Sequence, residues 1–569
     1  MRGWDDDPEL ADIGPQSIYK VVRQLKKDDH GPYNCLASIV ADAAFVRDVR
    51  RRYPTLPVFA NLRCGLWYVD PNDRNDDHVS RQAASGGDSN NDDDDDAVGT
   101  CYFKSTDGHC NNWSFSATRL NVHVAEAAAT RGGCVVVDAT RSSTKRFPDS
   151  FSKTIPMWAE TISRAVARRR GIVPPTVDDD DESINPESSH RSTWGSGPHL
   201  PVWVGDNERN AIASRMPHFE ETLHAVLHDT DVLDALASKL TKPLRCVWVS
   251  RENEHSLPCV DNMSDLDFTP VVLVTASEPM QRHGERRTGE GGVPYAYIPG
   301  AGDDEESWAK GLTPAVFWAH KESVLGPNGS GGCAAIVDRI VKKTRGNEAA
   351  WTRGVTNDED EGEDSAHLAP RGCLSPNERA AAARGSLPLG AGGVRRLVST
   401  GGVSLALGSV HALALEATWD AVDAVLYVGD DLPPLPADPA RWRHPESVDG
   451  DGETATGIYP TPFLHAPMRY AKVARRDVAD GLEACLAFIR ANSARGGGTT
   501  LVACKDGVDH CVGVVVAALI DDDDDESEHS VSKDGVRRRL ADVARVHPEC
   551  RPSRGTLKQV FNRMFEMRR

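Results

Sequence analysis

The stretch LVACKDGVDHCVGVVVAALI, Leu501–Ile520, constrains the fold more than any other. Apolar residues run up to Cys504, a loop containing Gly507 follows, and a run of small apolar residues begins near Gly513. A strand, a tight turn and a buried helix in that order turn the backbone N–H groups of the helix start towards whatever the loop holds. Such a loop suits a phosphate, and Cys504, Gly507, Asp509 and Gly513 are its candidate anion-binding positions.

The rest of the chain repeats this alternation. DAVDAVLYVGDDLP and GTLKQVFNRMF flank the loop on either side, while CVVVDATR, LRCVWVS and TPVVLVTAS are short apolar runs between helical patterns such as SIVADAAFVRDVRRRY and FEETLHAVLHDTDVLDALASKL. SIYKVVRQLKK also has a helical period. The expected class is therefore α/β in both halves. A chain of 569 residues exceeds what one core organises, so two or three domains are expected. The polar stretches Asn72–Val98, Pro174–Gly197 and Gly346–Gly372 read as insertions or linkers. They divide the chain into a region at 1–345 with insertions near 72–98 and 174–197, a linker at 346–390, and a domain at 391–569.

The formal charge of -20 argues at first against a nucleic-acid partner. The runs Asp92–Asp96, Asp178–Glu182, Asp358–Asp364 and Asp521–Glu526 hold 22 acidic residues, so the remainder is close to neutral. Such runs are ordinarily solvated, and the net charge does not exclude RNA. Basic clusters at Arg47 with Arg50–Arg52, at Arg168–Arg170 and at Arg537–Arg539 are candidate contacts to a phosphate backbone, each with an alternative reading as a solvated helix face. Thirteen cysteines without a CxxC pair read as reduced thiols. MRGWDDDPEL has no signal-like apolar core and no apolar stretch is long enough to span a bilayer, so a cytoplasmic protein without a membrane partner is expected.

Three stretches carry chemistry. In TCYFKSTDGHCNNWSFSATRLNVH, Lys104, Ser105, Thr106, Asp107 and His109 crowd around Gly108, a set that can grip a phosphate and move a proton. A polar turn satisfying its own backbone is the alternative. Arg119, Asn121 and His123 alternate with Leu120 and Val122, so a helix or strand there would bring some of them to the same cleft. In GGCVVVDATRSSTKRFPDSFSKTIPMW, a buried strand ends at Asp138, and Thr140, Arg141, Lys145 and Lys153 follow where α/β sheets bind ligands. In YIPGAGDDEESWAKGLTPAVFW, Asp303 and Asp304 are either a solvated first helical turn or ligands of a Mg²⁺ shared with substrate phosphates. Trp308, Phe317 and Trp318 beside them read as core.

Taken together, these strings resemble the initiator tRNA adenosine-64 2′-O-ribosylphosphate transferases of fungi and plants. ANLRCGLWYVDP, LTKPLRCVWVS, YIPGAGDDEESWAKGLTP and RPSRGTLKQVFNRMF occur with the stretches above in the family's order, from about Ser17 to Phe565. The resemblance implies a catalytic N-terminal region and a C-terminal domain similar to dual-specificity phosphatases. It also implies transfer of a 5-phosphoribosyl group from 5-phosphoribosyl 1-pyrophosphate, with Mg²⁺, to the 2′-hydroxyl of a T-stem adenosine of initiator methionine tRNA, which keeps that tRNA out of elongation. On this reading Asp107 or His109 is the general base, Lys104, Arg141, Lys145 and Lys153 meet phosphate charge, and Asp303 and Asp304 meet the metal, with Asp138 competing. Phosphatase chemistry itself is not expected, because His510 stands six positions after Cys504 where a guanidinium must grip the phosphoryl oxygens. The alternatives are a phosphatase acting on RNA or phosphoprotein and a non-catalytic tRNA clamp.

Overall fold

The computed structural model describes residues 31–71, 98–172, 194–195, 197–227, 230–253, 265–289, 292–326, 329–351, 395–398, 403–413, 418–419, 421–433, 435, 442–443, 461–469, 474–494, 498–522 and 531–568. SIYKVVRQLKK, most of the acidic runs and most of 346–390 lie outside them. The chain divides into two compact units: Met1–Phe115 with Val124–Glu220 and Asp234–Thr344, and Ser116–His123 with Glu221–Leu233 and Arg345–Arg569. A helix, Gly329–Trp351, continues six residues into the segment expected as linker.

The first unit is built on five parallel strands: β1 (Val58–Asn61), β2 (Gly99–Cys101), β3 (Cys134–Asp138), β4 (Leu244–Val249) and β5 (Thr269–Thr275), in the spatial order β2-β1-β3-β5-β4. β1, β3 and β5 are buried along their whole lengths, as strands covered on both faces must be, which is why they read as unbroken apolar runs. From β1 the chain goes to β2 on one side and then to β3 on the other. The carboxyl ends of β1 and β3 therefore frame a crevice of the kind in which open α/β sheets bind ligands. Trp308, Phe317 and Trp318 are buried, with Trp308 and Phe317 packed on Trp67. A β-hairpin, β6 (Arg286–Thr288) with β7 (Pro294–Ala296), leads into Tyr297.

One buried carboxylate sets a pH dependence for this unit. Asp42, on the helix Pro32–Arg52, accepts a hydrogen bond from Tyr297 Oη at 2.7 Å and has Arg251 Nη2 at 3.6 Å, yet burial outweighs both and pushes its carboxyl up to about 7. An unfolded aspartate titrates near 3.9, so the native state holds this proton more tightly. Its contribution to stability is full below about 3.9 and is lost as pH rises through about 7. Asp42→Asn should therefore gain on the wild type with rising pH, by roughly 4 kcal/mol at most above neutrality. Thermal melts of both proteins from pH 5 to 8 check this, and a gap that does not widen would refute it.

The second unit holds β8 (Arg395–Val398), β9 (Ser404–Ser409), β10 (Ala424–Val428), β11 (Trp442–Arg443), β12 (Thr461–Ala466) and β13 (Thr499–Cys504), ordered β11-β12-β10-β13-β9-β8. All its pairings are parallel except that of β8 with β9. Alternate residues serve opposite faces. Leu405, Leu426 and Val502 pack with the helices Asp477–Ser493, His510–Asp521, Lys533–Val546 and Arg554–Met567, whereas Ala406, Val425 and Leu501 pack with Trp419 and Phe463. No helix of the described residues is long and apolar enough to cross a membrane.

Candidate active site

The three stretches singled out in the sequence meet at the carboxyl edge of the first sheet. Lys104–His109 follows β2 as a tight turn, and Thr154 Oγ1 donates to the Lys104 carbonyl at 3.0 Å. Gly108 is required there, since a Cβ would lie 2.7 Å from the Asp149 carbonyl and 2.8 Å from Thr154 Oγ1. The other wall is one wide π-type helical turn, Ser150–Thr154, running into the helix Ile155–Arg169. Such turns are uncommon and recur at functional sites. The third stretch closes on the loop after β3: Gly300, at φ 65°, brings its backbone so near Thr140 and Arg141 that a Cβ would lie 2.6 Å from the Thr140 carbonyl.

Asp138 is the centre of the crevice, and it is filled by the protein itself. Oδ2 accepts from Asn61 Nδ2 at 2.8 Å, Arg63 Nε at 3.0 Å and Ser150 Oγ at 3.1 Å, while Oδ1 accepts from Cys64 Sγ at 3.0 Å and the Ala139 N–H at 2.9 Å. Arg63 also bonds Asp303 at 2.8 Å, and the Arg141 N–H donates to Asp303 at 3.1 Å. Burial raises the Asp303 carboxyl, with Arg63 opposing. Asp304 pairs with the Arg141 guanidinium and accepts from Ser307 Oγ at 3.0 Å. These carboxylates therefore have guanidinium and N–H partners where a metal would have to bind. Among the described residues no group of three or more His, Cys, Asp or Glu is arranged to hold a metal ion. The set does not fit a protein-held Mg²⁺.

Asp149 organises the cations. It lies buried at the start of the wide turn, with Lys145 Nζ on Oδ2, Lys153 Nζ 3.2 Å from Oδ1 and His109 Nε2 3.7 Å from Oδ2. Burial alone would raise its carboxyl, but Lys145 and Lys153 outweigh this and hold it below the ordinary carboxylate value. Lys153 in turn bonds Glu208 at 2.9 Å; burial opposes its charge, but Glu208 and Asp149 together keep its ammonium above the ordinary value. Glu208 also accepts from Trp113 Nε1 at 2.9 Å. Ser105 Oγ is buried without a hydrogen-bond partner, Thr106 and His109 are exposed, Lys104 lies over the Tyr102 ring, and the Thr140 hydroxyl accepts the Ser142 N–H at 3.3 Å. A half-exposed lysine and an exposed imidazole thus share one buried carboxylate, and the orphaned Ser105 hydroxyl is buried in the turn that carries the imidazole.

Arg119 and Asn121 are not on a helix or strand. Asn121 sits at φ 48° and donates its side-chain amide to the Arg119 carbonyl, so the chain turns before the helix Val122–Arg131 begins, and Ser116–His123 groups with the second unit. The loop after Cys504 is closed from within. The Asp506 carboxylate accepts from Cys504 Sγ at 3.2 Å and from the Val508 N–H at 3.0 Å, which places a negative charge where an anion would sit. Asp509 accepts from the Ser553 N–H and from Thr556 Oγ1, and a Cβ on Gly513 would lie 2.6 Å from Thr556 Cγ2. Gly507, at φ 73°, makes the tight turn, and its carbonyl bonds His547 Nε2 at 2.8 Å. These positions build the turn and its packing. Of the basic clusters, Arg168–Arg170 and Arg537–Arg539 are engaged by Glu220, Asp234, Asp534, Asp542 and backbone carbonyls.

A family model described as the Rit1 N-terminal domain matches residues 25–84 and 89–342, more than half of the chain, and one described as the Rit1 DUSP-like domain matches residues 462–564. The chain belongs to the Rit1 family. It is 37% identical over 304 residues, 53% of this chain and 55% of the relative, to an uncharacterized protein of Schizosaccharomyces pombe. It is 29% identical over 322 residues, 54% of this chain and 53% of the relative, to the tRNA A64-2′-O-ribosylphosphate transferase of Saccharomyces cerevisiae. The chain thus spans about half the length of the curated relatives it matches. Among solved structures it is similar to human DUSP28, at 20% identity over 31% of this chain and 95% of that one with a TM-score of 0.22, and to a mouse putative dual specificity phosphatase, at 22% identity over 30% and 87% with a TM-score of 0.21. This member of the Rit1 family is an α/β protein whose second unit carries the family's phosphatase-like domain.

Proposed function

We propose that this Rit1-family chain transfers a 5-phosphoribosyl group from 5-phosphoribosyl 1-pyrophosphate to the 2′-hydroxyl of an adenosine, position 64 in the T stem, of initiator methionine tRNA. The supporting observation is the convergence of the Lys104–His109 turn, the loop after β3 and the Ala301–Asp304 turn at the sheet's switch point, with a buried carboxylate under an exposed imidazole. The relative from Saccharomyces cerevisiae is named a tRNA A64-2′-O-ribosylphosphate transferase, which supports the group transferred and the acceptor adenosine; the donor and the choice of initiator tRNA are part of the proposal.

In this reading the 2′-oxygen attacks C1 of the donor ribose, and the C1–O bond to pyrophosphate breaks with its electron pair going to the leaving group. The charge that develops on C1 resembles that of glycoside chemistry. His109 takes the 2′-hydroxyl proton. Asp149 is the group that orients it, an arrangement of base and orienting carboxylate common to activated nucleophiles. Asp107 is the less favoured base, since the carboxylate partner belongs to His109. Lys104 and Lys145 meet the donor's phosphates, with Lys145, Lys153 and Arg141 held in place by Asp149 and Asp304. Mg²⁺ enters the proposal only as the counter-ion a pyrophosphate carries. A phosphatase reading is disfavoured by His510 and by the Asp506 carboxylate inside the loop.

The test is purified protein with 5-phosphoribosyl 1-pyrophosphate, Mg²⁺ and unmodified initiator or elongator methionine tRNA, followed by nuclease digestion and mass spectrometry. A ribosylphosphate adduct on one T-stem adenosine of the initiator alone is expected. Binding of tRNA without an adduct would replace the enzyme by a clamp.

A further inference from the structure

Trp203 and its neighbour Val202 break the usual rule for large apolar side chains, being 52% and 91% exposed. Their loop is nonetheless rigid. The Arg209 guanidinium donates to the carbonyls of Leu200, Pro201 and Val204, so three of its N–H groups are spent on holding Leu200–Val204 in one conformation. One face of the Trp203 indole lies on Phe147, with ring centroids 5.1 Å apart and planes 9° from parallel. Trp248 makes a T-shaped contact with it, ring centroids 5.7 Å apart, and Nε1 donates to Ser152 Oγ at 3.3 Å.

Ser152 belongs to the wide turn that carries Lys153, and Phe147 directly follows Lys145 and Arg146 in the loop after β3. A half-exposed indole, stacked on one face and hydrogen-bonded at Nε1, beside half-exposed cations of the candidate site, has the form of a platform for a planar ring with phosphates on either side. A membrane or protein contact would call for a continuous apolar patch. Here the neighbouring charged groups are the half-exposed Lys145, paired with Asp149, and Arg146, paired with Glu252.

We propose that Trp203 is a stacking platform for an unpaired nucleobase of the RNA acceptor, with the flanking phosphates against Lys145 and Arg146. The proposal rests on the reading of the site as an RNA-modifying one and adds where the acceptor is gripped.

The experiment uses the full chain, its Trp203→Ala and Trp203→Phe variants, and two fluorescently labelled probes: unmodified initiator tRNA and a hexa-adenylate ribo-oligonucleotide. Loss of one stacked base should weaken Trp203→Ala binding of both probes by about 10- to 100-fold, while Trp203→Phe stays within about threefold. Independently of variant folding, hexa-adenylate should quench wild-type tryptophan fluorescence and leave the fluorescence of Trp203→Phe unchanged. Wild-type-like binding by Trp203→Ala, or equal quenching in wild type and Trp203→Phe, overturns the platform and turns the patch into a protein-facing surface. Wild-type transfer with Trp203-independent binding would sink the platform and leave the transferase standing. Trp203-dependent hexa-adenylate binding without transfer would do the reverse, and binding of neither probe would overturn the platform.

Discussion

Asp149→Ala should lower transfer by about 100- to 1000-fold, as much as His109→Ala, because a positioned base contributes on that scale and an unoriented one loses most of it. The carboxylate does three jobs at once, holding Lys145 and Lys153 and standing 3.7 Å from the Nε2 of His109. Its removal leaves Lys153 with Glu208 alone and frees Lys145. Residues that act as one unit are not additive, so the double variant should be little worse than either single one. Asp149→Asn separates the roles: it keeps the shape and loses the charge, so it should depress kcat more than the KM for tRNA. A purely structural carboxylate predicts the opposite pattern, with melting temperature and tRNA affinity falling together. Since Lys145 and Lys153 hold the Asp149 carboxyl below its ordinary value, its stabilisation is present above about 3.9 and lost only as pH falls through that depressed value, well outside the assay range. Full activity of Asp149→Ala with intact folding would remove the dyad.

Much of this was legible because the apolar runs are so plain. CVVVD ends in the structure where the sequence ends it, at Asp138, and the run to Cys504 is a strand followed by a buried helix. Lys104, Asp107, His109, Arg141, Lys145 and Lys153 stand out as dense polar loops, and the structure gathers those loops at one edge. Asn61, Arg63, Asp149 and Glu208 did not stand out. Asp149 sits among polar residues with nothing local to mark it, and Asn61 and Arg63 matter only because β1 pairs beside β3, a neighbourhood 77 residues away for Asn61. Periodicity reports which face is buried, and the partner across a parallel sheet is set by topology. The same limit explains Asp303 and Asp304, whose cluster reads as a metal site until Arg63 and Arg141 are brought to it. Asn121 misled differently, since an alternating polar pattern carries no warning of a left-handed backbone.

Asp138→Ala should destabilise the first unit by about 3–5 kcal/mol, the usual result of removing one partner from a buried charged network. The side chain is fully buried and its two oxygens satisfy five donors drawn from the ends of β1 and β3, the turn after β1 and the wide turn. Alanine would leave the Asn61 amide only the Phe103 carbonyl and the Arg63 guanidinium only Asp303 and the Ala139 carbonyl, in a largely buried setting. Against a total stability of about 5–15 kcal/mol, that loss is large enough to appear as a lowered urea midpoint and poor expression. Asp138→Asn keeps the volume but turns an NH₂ group towards donors, so it should cost part of the same amount. Asp138→Glu should fare no better, because the extra methylene has no room among β3, Cys64 and Ser150. These outcomes distinguish a structural hub from a metal ligand. A ligand's removal would leave the melting curve nearly unchanged and abolish a Mg²⁺-dependent shift in it, whereas a hub's removal lowers the curve with or without Mg²⁺. On the hub outcome, Asp138 shapes the crevice at this switch point from within, and the exposed groups beside it are Lys145 and His109.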